Sequence, residues 1–544
     1  MDRRGFLTLA GGGAATLALA DALAPAAALA ADGRRARAAA RATRVPPGPF
    51  TLGVASGDPL PDGVVLWTRL APTPLDPGGG MPDAPVPVAY EVAADERFRR
   101  IVRRGSALAR PAGAHTVHAD VRGLRPGATY WYRFRAGGEL SPTGRARTAP
   151  AAGARVRRAR FATASCQNYQ DGYYTAHQAL AGEDLDFVVF LGDYIYEGRP
   201  NPAALRSHDG VAEPLTLDEY RSRHALYRSD PDLQAAHAAF PWVVTLDDHE
   251  VDNNWADDIP QDPGLQSPEA FRARRIAAFQ AYWEHMPLRR AQAPRGPDMT
   301  LYRRLGWGDL LQLDVLDTRQ YRSDQPTSLA GAEDPASTML GAEQEAWLDR
   351  GLAGSSARWN ALAQQTMVAQ NDRLAGPAEV FDLDNWDGYR AARRRLLDSL
   401  DRVRNPVVLT GDRHATWVCD LRRHFGDPAS PVVGAELTGT SITSGSDPDV
   451  VAFHAQYDPV MAESPHWKFI DNQRGYVVCD LDRERWRSDL RVVSTVRSPT
   501  ATVSTYATFV TEDGVRGVAV ASAPTEPVVP AAPPAPAEAV SPQR

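Results

Sequence analysis

Side chains able to ligate metal ions gather in four short stretches of this sequence. They are Ser165-Cys166-Gln167-Asn168, Gly192-Asp193-Tyr194-Ile195-Tyr196-Glu197, Asp247-Asp248-His249-Glu250 followed by Asp252-Asn253-Asn254, and Gly411-Asp412-Arg413-His414. Asp193 can bridge two cations with its two oxygens, and Asp248 and Asp412 add hard oxygen ligands suited to calcium, magnesium or manganese. Cys166, Tyr196 and His414 add a thiolate, a phenolate and an imidazole, a softer set that suits an oxidised transition metal such as ferric iron. Two adjacent cations lower the pKa of a bound water and clamp a phosphoryl group during in-line displacement. Each stretch alone is ambiguous: a Gly-Asp also makes a turn, and a lone Cys166 is also a small buried hydrophobe. Together they point to a metallohydrolase.

The elements that must position these groups are legible around them. Each stretch follows a short β-branched or apolar run, respectively Arg160 to Ala164, Asp186 to Leu191, Val243 to Leu246 and Val407 to Thr410, with a further run at Leu310 to Leu316. Pro268 to His285 spaces Phe271, Ile276, Phe279 and Trp283 near helical periodicity, and Tyr389 to Leu400 behaves alike. Strands alternating with helices over some 300 residues predict an α/β layered domain. Ligands at the carboxyl ends of its strands stand where open α/β sheets place their sites. Gly192 and Gly411 are expected to let the backbone turn so that separate loops converge.

The rest of the chain bounds this reading. Among 544 residues the net charge is −7, so no basic field recruits nucleic acid, and Lys468 is the single lysine. Asp2-Arg3-Arg4-Gly5-Phe6-Leu7, a glycine-diluted apolar run and Ala28-Leu29-Ala30 read as a twin-arginine export signal over residues 1–30. A linker is expected over 31–46 and a disordered Pro/Ala tail over 523–544. No segment is long and apolar enough for a stable transmembrane span. Residues 47–150 have a β texture, with Gly63 to Thr68, Thr129 to Phe134 and a Leu124-to-Tyr130 turn typical of fibronectin-type sandwiches. The catalytic unit is expected over 155–520. Cys419 and Cys479 either pair or remain buried thiols.

The order Gly-Asp-x-x-Tyr, Asp-His-Glu, Gly-Asp-x-His resembles the calcineurin-like and purple-acid-phosphatase plan of metallophosphoesterases. The nearer resemblance is to the PhoD-like alkaline phosphatase family, carried by FTLGVASGDPLPDGVVLWTRL, ASCQN, FLGDYIYEG, DDHEVDNNWA, LDTRQYR, VVLTGDRHATW and GTSITSG over residues 48–520. It implies an αββα metallophosphoesterase domain preceded by a smaller fibronectin/Ig-like β-sandwich. It also implies a phosphatase or phosphodiesterase holding ferric iron, Fe(3+), and calcium, Ca(2+), with a metal-bridging hydroxide as nucleophile. Cys166, Asp193, Tyr196 and His414 would hold iron, and Asp193, Asp248 and Asp412 calcium. His249 would donate to the phosphate or leaving oxygen. Asn253 (or Asn254) would assist at phosphate or at a second calcium, and Arg319 would either clamp phosphate or form a buried ion pair. Asp247 and Glu250 are expected to be structural. Arg413 is expected to be non-ligating, turned to phosphate or to a salt bridge, and Gln365 lies near the site wall.

The expected partners are organic phosphate esters and the twin-arginine export machinery, and the expected product is an exported monomer, periplasmic, surface-bound or secreted. Three rival readings follow from the same residues. One is a phospholipid-directed phosphodiesterase at the same site. Another is a surface-binding protein with a vestigial site, against which every ligand position carries a competent side chain. The third, thiol chemistry at Cys166, lacks a Cys-x-x-Cys partner.

Overall fold

The computed structural model of the protein describes residues 44–526 and 528. The expected signal at 1–30, most of the linker at 31–46 and most of the tail at 523–544 lie outside the described residues. Among the described residues, no helix is long and apolar enough to cross a membrane.

The apolar runs become strands Arg158–Ala164, Phe187–Phe190, Pro241–Val244, Leu311–Val315 and Pro406–Thr410. Strand Phe187–Phe190 pairs in parallel with both Arg158–Ala164 and Pro241–Val244. Strand Pro406–Thr410 lies in a second sheet, parallel to Trp359–Gln364 and Val432–Thr438. Successive side chains on a strand point to opposite faces, and here both faces are apolar. Phe187, Val189 and Val243 meet Leu313, Ala361, Val407 and Leu409 of the other sheet in a central core. Val188, Phe190, Trp242 and Val244 turn outward beneath helices Thr175–Ala181, Leu217–Arg228, Pro231–Ala239 and Pro268–His285. Val408 and Trp417 turn beneath helices Gly341–Ala353 and Arg390–Asp401 on the far side. The layers are helix, sheet, sheet, helix.

Helix Pro268–His285 spans the residues its periodicity predicts, capped by Ser267, whose hydroxyl accepts from the Ala270 N–H. Its apolar face is less regular than expected. Ile276 is 39% exposed, while the adjacent Arg274 and Arg275 are buried, pairing with Asp252 at 3.0 Å and Asp258 at 2.9 Å. Ion pairing has put two arginines inward where hydrophobicity alone would have placed isoleucine.

The N-terminal residues form a β-sandwich in which Val64, Leu66, Val117 and Val121 pack against Val88, Tyr132 and Phe134. The Arg125 N–H donates to the Tyr130 hydroxyl at 2.9 Å, the corner that the Leu124-to-Tyr130 stretch suggests. One of the two sandwich sheets is shared. Strands Val54–Leu60, Gly63–Arg69 and Thr116–Arg122 continue the catalytic sheet, because Val54–Leu60 pairs in parallel with Pro241–Val244. The result is a single ten-stranded sheet.

All three cysteines are free thiols. Cys419 lies in the seven-stranded sheet and Cys479 in the ten-stranded one, each buried within its own strand.

Candidate metal centre

The parallel strands deliver their following loops to one end of the two sheets. The loops are held there by one another: the Cys166 N–H donates to Gly192 O at 3.2 Å, and the Gln167 N–H to Asp193 O at 3.1 Å. Gly192 has φ +110, and a Cβ there would stand 2.5 Å from Asp247 Cβ, so this loop crossing admits only glycine. Gly411 carries no such backbone demand; the left-handed turn falls on Asp412 instead, at φ 64. Cys166, Asp193 and His414 are also left-handed, at φ 60, 55 and 52. Each such residue costs about 1–3 kcal/mol and persists only where its surroundings over-determine it.

Those surroundings are visible. Glu250 is fully buried and its carboxylate accepts the Asp193, Tyr194 and Asp247 N–H groups. Burial, with Asp193 nearby, pushes Glu250 up to about 8 against those three donors. The Cys166 carbonyl accepts from Thr443 and Ser444 N–H at 3.3 and 3.2 Å, so the GTSITSG loop wraps the cysteine.

Six donor groups stand in or beside two compact clusters. Sγ of Cys166, a carboxylate oxygen of Asp193 and a ring nitrogen of His414 lie within 4.8 Å of one another, as do ligand atoms of Asp193, Asp248 and His249. The Tyr196 hydroxyl donates to Asp193 Oδ2 at 2.8 Å and lies 3.0 Å from His414 Nε2. Asp193 Oδ1 is buried without a hydrogen-bond partner. Asp193 belongs to both clusters.

Burial dominates the electrostatics, modulated by charge. It pushes the Cys166 thiol and Tyr196 phenol well up, with Asp193 adding to both. It raises Asp412 to about 7, opposed by Arg319 and assisted by Asp248. Burial also opposes ionisation of Asp248, but Arg319 and His249 hold that carboxyl below its usual range. Burial opposes protonation of His249 as well, yet Glu197, Asp248 and Asp193 outweigh it and hold the imidazole well above its usual value. Cations relieve this kind of crowding among buried anionic groups.

Residues 161–490 match the family PhoD-like phosphatase, and residues 35–150 match PhoD-like phosphatase, N-terminal domain. Alkaline phosphatase D of Bacillus subtilis (strain 168) is 51% identical over 470 residues, covering 84% of this chain and 80% of that protein. A solved structure described as the structure of PhoD superposes with a TM-score of 0.83 at 50% identity, covering 88% of this chain and 93% of that one. The chain belongs to the PhoD-like phosphatase family. It is therefore a phosphatase, and its α/β catalytic layers and N-terminal sandwich are those of that family.

In this PhoD-like phosphatase Cys166, Asp193, Tyr196 and His414 are brought together, and Asp248 and His249 join them through Asp193. Asp412 lies 4.0 Å from the Arg319 guanidinium. Arg319 itself is fully buried: it donates to Asp247 at 2.5 Å, to Asp384 at 2.9 Å, and lies 3.6 Å from Asp248. That geometry is the buried ion pair rather than a guanidinium open to substrate. Arg413 pairs with Asp382 at 3.0 Å. Gln365 is buried and ties Thr318 to Thr245, not facing open space. Asn253 contributes its backbone, the N–H donating to Glu197 Oε1 at 2.8 Å, and the Asn254 N–H donates to Asp248 Oδ2 at 2.8 Å.

Four residues of the site went unassigned in the sequence. Glu197 accepts from His249 Nδ1 at 2.7 Å. Ser444 donates its hydroxyl to Tyr196 at 2.8 Å. Asp384 pairs with Arg319 and Arg322. Arg474 donates to the His414 carbonyl. Glu197 and Ser444 lie inside FLGDYIYEG and GTSITSG, so motif membership was the available signal. Asp384 and Arg474 belong to no motif.

Proposed function

We propose that this phosphatase is an exported, metal-dependent hydrolase of phosphate mono- and diesters working at a mixed iron and calcium centre. The observation that carries this reading is the convergence of unlike donors around an unsatisfied carboxylate. Cys166, Asp193 and His414 lie within 4.8 Å of one another, and the buried Asp193 Oδ1 has no hydrogen-bond partner. A buried acceptor without a donor costs free energy, and a cation satisfies it. Thiolate, phenolate, carboxylate and imidazole from Cys166, Tyr196, Asp193 and His414 suit ferric iron. Asp193, Asp248 and Asp412 suit calcium. Bound there, the cations would polarise a phosphoryl oxygen and depress the pKa of a water.

The chain's own residues supply the rest. Glu197 anchors Nδ1 of His249 and keeps the imidazole protonated, leaving Nε2 to give its proton to the leaving oxygen. The Tyr196 ring stacks on His249 at 4.1 Å and limits its rotation. Asn253 steadies Glu197 through its backbone and offers its side chain to phosphate. Arg319 is a positioning residue that holds Asp247, Asp248 and Asp384 in place. The paired arginines and Ala28-Leu29-Ala30 support export by the twin-arginine route over residues 1–30, followed by a linker to residue 46 and a sandwich to residue 150. The catalytic domain covers 155–520, ahead of a tail at 523–544.

Metal analysis of the exported protein with its visible spectrum tests the centre. Iron, calcium and a thiolate or phenolate absorption band are expected, with activity lost on chelation. A colourless, iron-free and fully active enzyme would overturn the assignment. Parallel assays on a monoester and a diester measure which class is preferred.

A further inference from the structure

Arg474 precedes strand Gly475–Asp482 and is 6% exposed. Its guanidinium donates to three backbone carbonyls: Ser446 O at 2.7 Å, Asn472 O at 3.0 Å, and His414 O. It forms no ion pair with a carboxylate among the described residues. The pocket is built closely around it, since a Cβ on Gly445, at φ +86, would stand 2.6 Å from Nη2. A buried guanidinium hydrogen-bonded only to carbonyls has no carboxylate in direct contact, so its charge acts on the groups around it. Burial lowers its pKa to about 10; the Asp171 and Asp447 carboxylates oppose that most, and Cys166 and Tyr196, on the centre itself, act in the same direction. Two loops meet at this side chain. One carries His414, whose φ of 52 needs external support. The other carries Ser444, bonded to the Tyr196 hydroxyl.

We infer that Arg474 is a positioning residue for the Cys166, Tyr196 and His414 side of the centre. It fixes the His414 peptide by hydrogen bonding, and its charge, held without a contact carboxylate, offsets the thiolate and phenolate that Cys166 and Tyr196 become as ligands. The inference rests on the iron reading above.

A nearby cation lowers the energy of filled thiolate and phenolate orbitals. Removing it raises them and brings them closer to the iron. Arg474→Gln is therefore expected to move the visible band to longer wavelength and to shed iron several-fold faster under a chelator challenge. Arg474→Lys keeps the charge but cannot span three carbonyls. It should hold the band near its wild-type position while losing iron faster and lowering kcat. An Arg474→Gln protein with unchanged band and unchanged iron retention would overturn the inference, whatever its melting temperature, because that is the signature of a merely structural arginine. If Arg474→Gln does not fold, unchanged iron retention in Arg474→Lys overturns it alone. Wild-type enzyme that is active, colourless and iron-free refutes the metal reading first and this inference with it, so the two failures are told apart on the unmutated protein.

Discussion

Glu197 and His249 form the contact on which the proposed proton delivery turns. The carboxylate lies 2.7 Å from Nδ1, and it is the largest influence opposing the desolvation of the buried imidazole. Glu197→Gln keeps the shape and removes the charge, so the His249 pKa falls and the protonated fraction shrinks as pH rises. The descending alkaline limb of kcat/KM should move to lower pH, and kcat should fall by about 10²-fold, the scale on which general acids act. A pH–rate profile of the variant beside wild type checks this; an unmoved alkaline limb would remove His249 from the role. Arg319 makes a contrasting case. Arg319→Met leaves Asp247 buried without its counter-ion and Asp384 with Arg322 alone, and breaking such a pair costs about 3–5 kcal/mol. Denaturant unfolding should record that loss, whereas a phosphate clamp would leave stability intact and raise KM. The residues that converge in the clusters were legible because cysteine, tyrosine, histidine and aspartate at strand ends are chemically distinctive. Glu197 was not, because one glutamate among many acquires its role only from a histidine 52 residues away.

Elements place these residues, and their packing carries its own pH dependence. Helix Leu217–Arg228 packs on helix Pro268–His285, where the His224 ring stacks on His285 at 5.1 Å and 11°. Both His224 ring nitrogens are buried without a hydrogen-bond partner. Burial, reinforced by Arg223 and Arg69, pushes its pKa down to about 3, below the unfolded value of about 6.5. The folded state therefore binds fewer protons than the unfolded one between those pH values. Above about pH 6.5 His224 is neutral in both states and contributes no pH dependence; as pH falls toward 3 it opposes folding by about 1.4 kcal/mol per unit. His224→Leu removes that proton site. Calorimetry at pH 7 and pH 5 should show the stability difference moving in the variant's favour at the lower pH, and a gap independent of pH would contradict the buried neutral histidine. Of these two helices Pro268–His285 was visible in the sequence from apolar spacing, and Leu217–Arg228 was not. Their buried arginines and histidines were not, since periodicity counts only hydrophobic residues.

At the scale of the whole molecule, the change of texture near residue 150 was readable, but the sheet that crosses it was not. Strand pairing is non-local, and nothing within Val54–Leu60 names Pro241–Val244 as its partner. That pairing, Ser56 opposite Pro241 and Gly57 opposite Trp242, makes the N-terminal sandwich part of the catalytic framework. The seam is reinforced well beyond the strands. Trp67 Nε1 donates to Glu284 O at 2.9 Å, Arg303 pairs with Asp58 at 2.8 Å, Arg69 lies 2.8 Å from His285 Nε2, and Arg228 stacks over the Trp67 ring at 4.4 Å. Removing residues 44–150 would bare the Pro241–Val244 edge and the Trp67-facing side of two helices. An uncovered apolar edge strand is a template for aggregation. A chain of this length would ordinarily unfold domain by domain. The shared sheet predicts otherwise: the N-terminal and catalytic parts should melt in one calorimetric transition, and a fragment starting at residue 151 should be insoluble or aggregated when expressed alone. Two resolved transitions, the first without loss of activity, or a soluble and active fragment, would show that the sandwich is an appended module and the seam incidental.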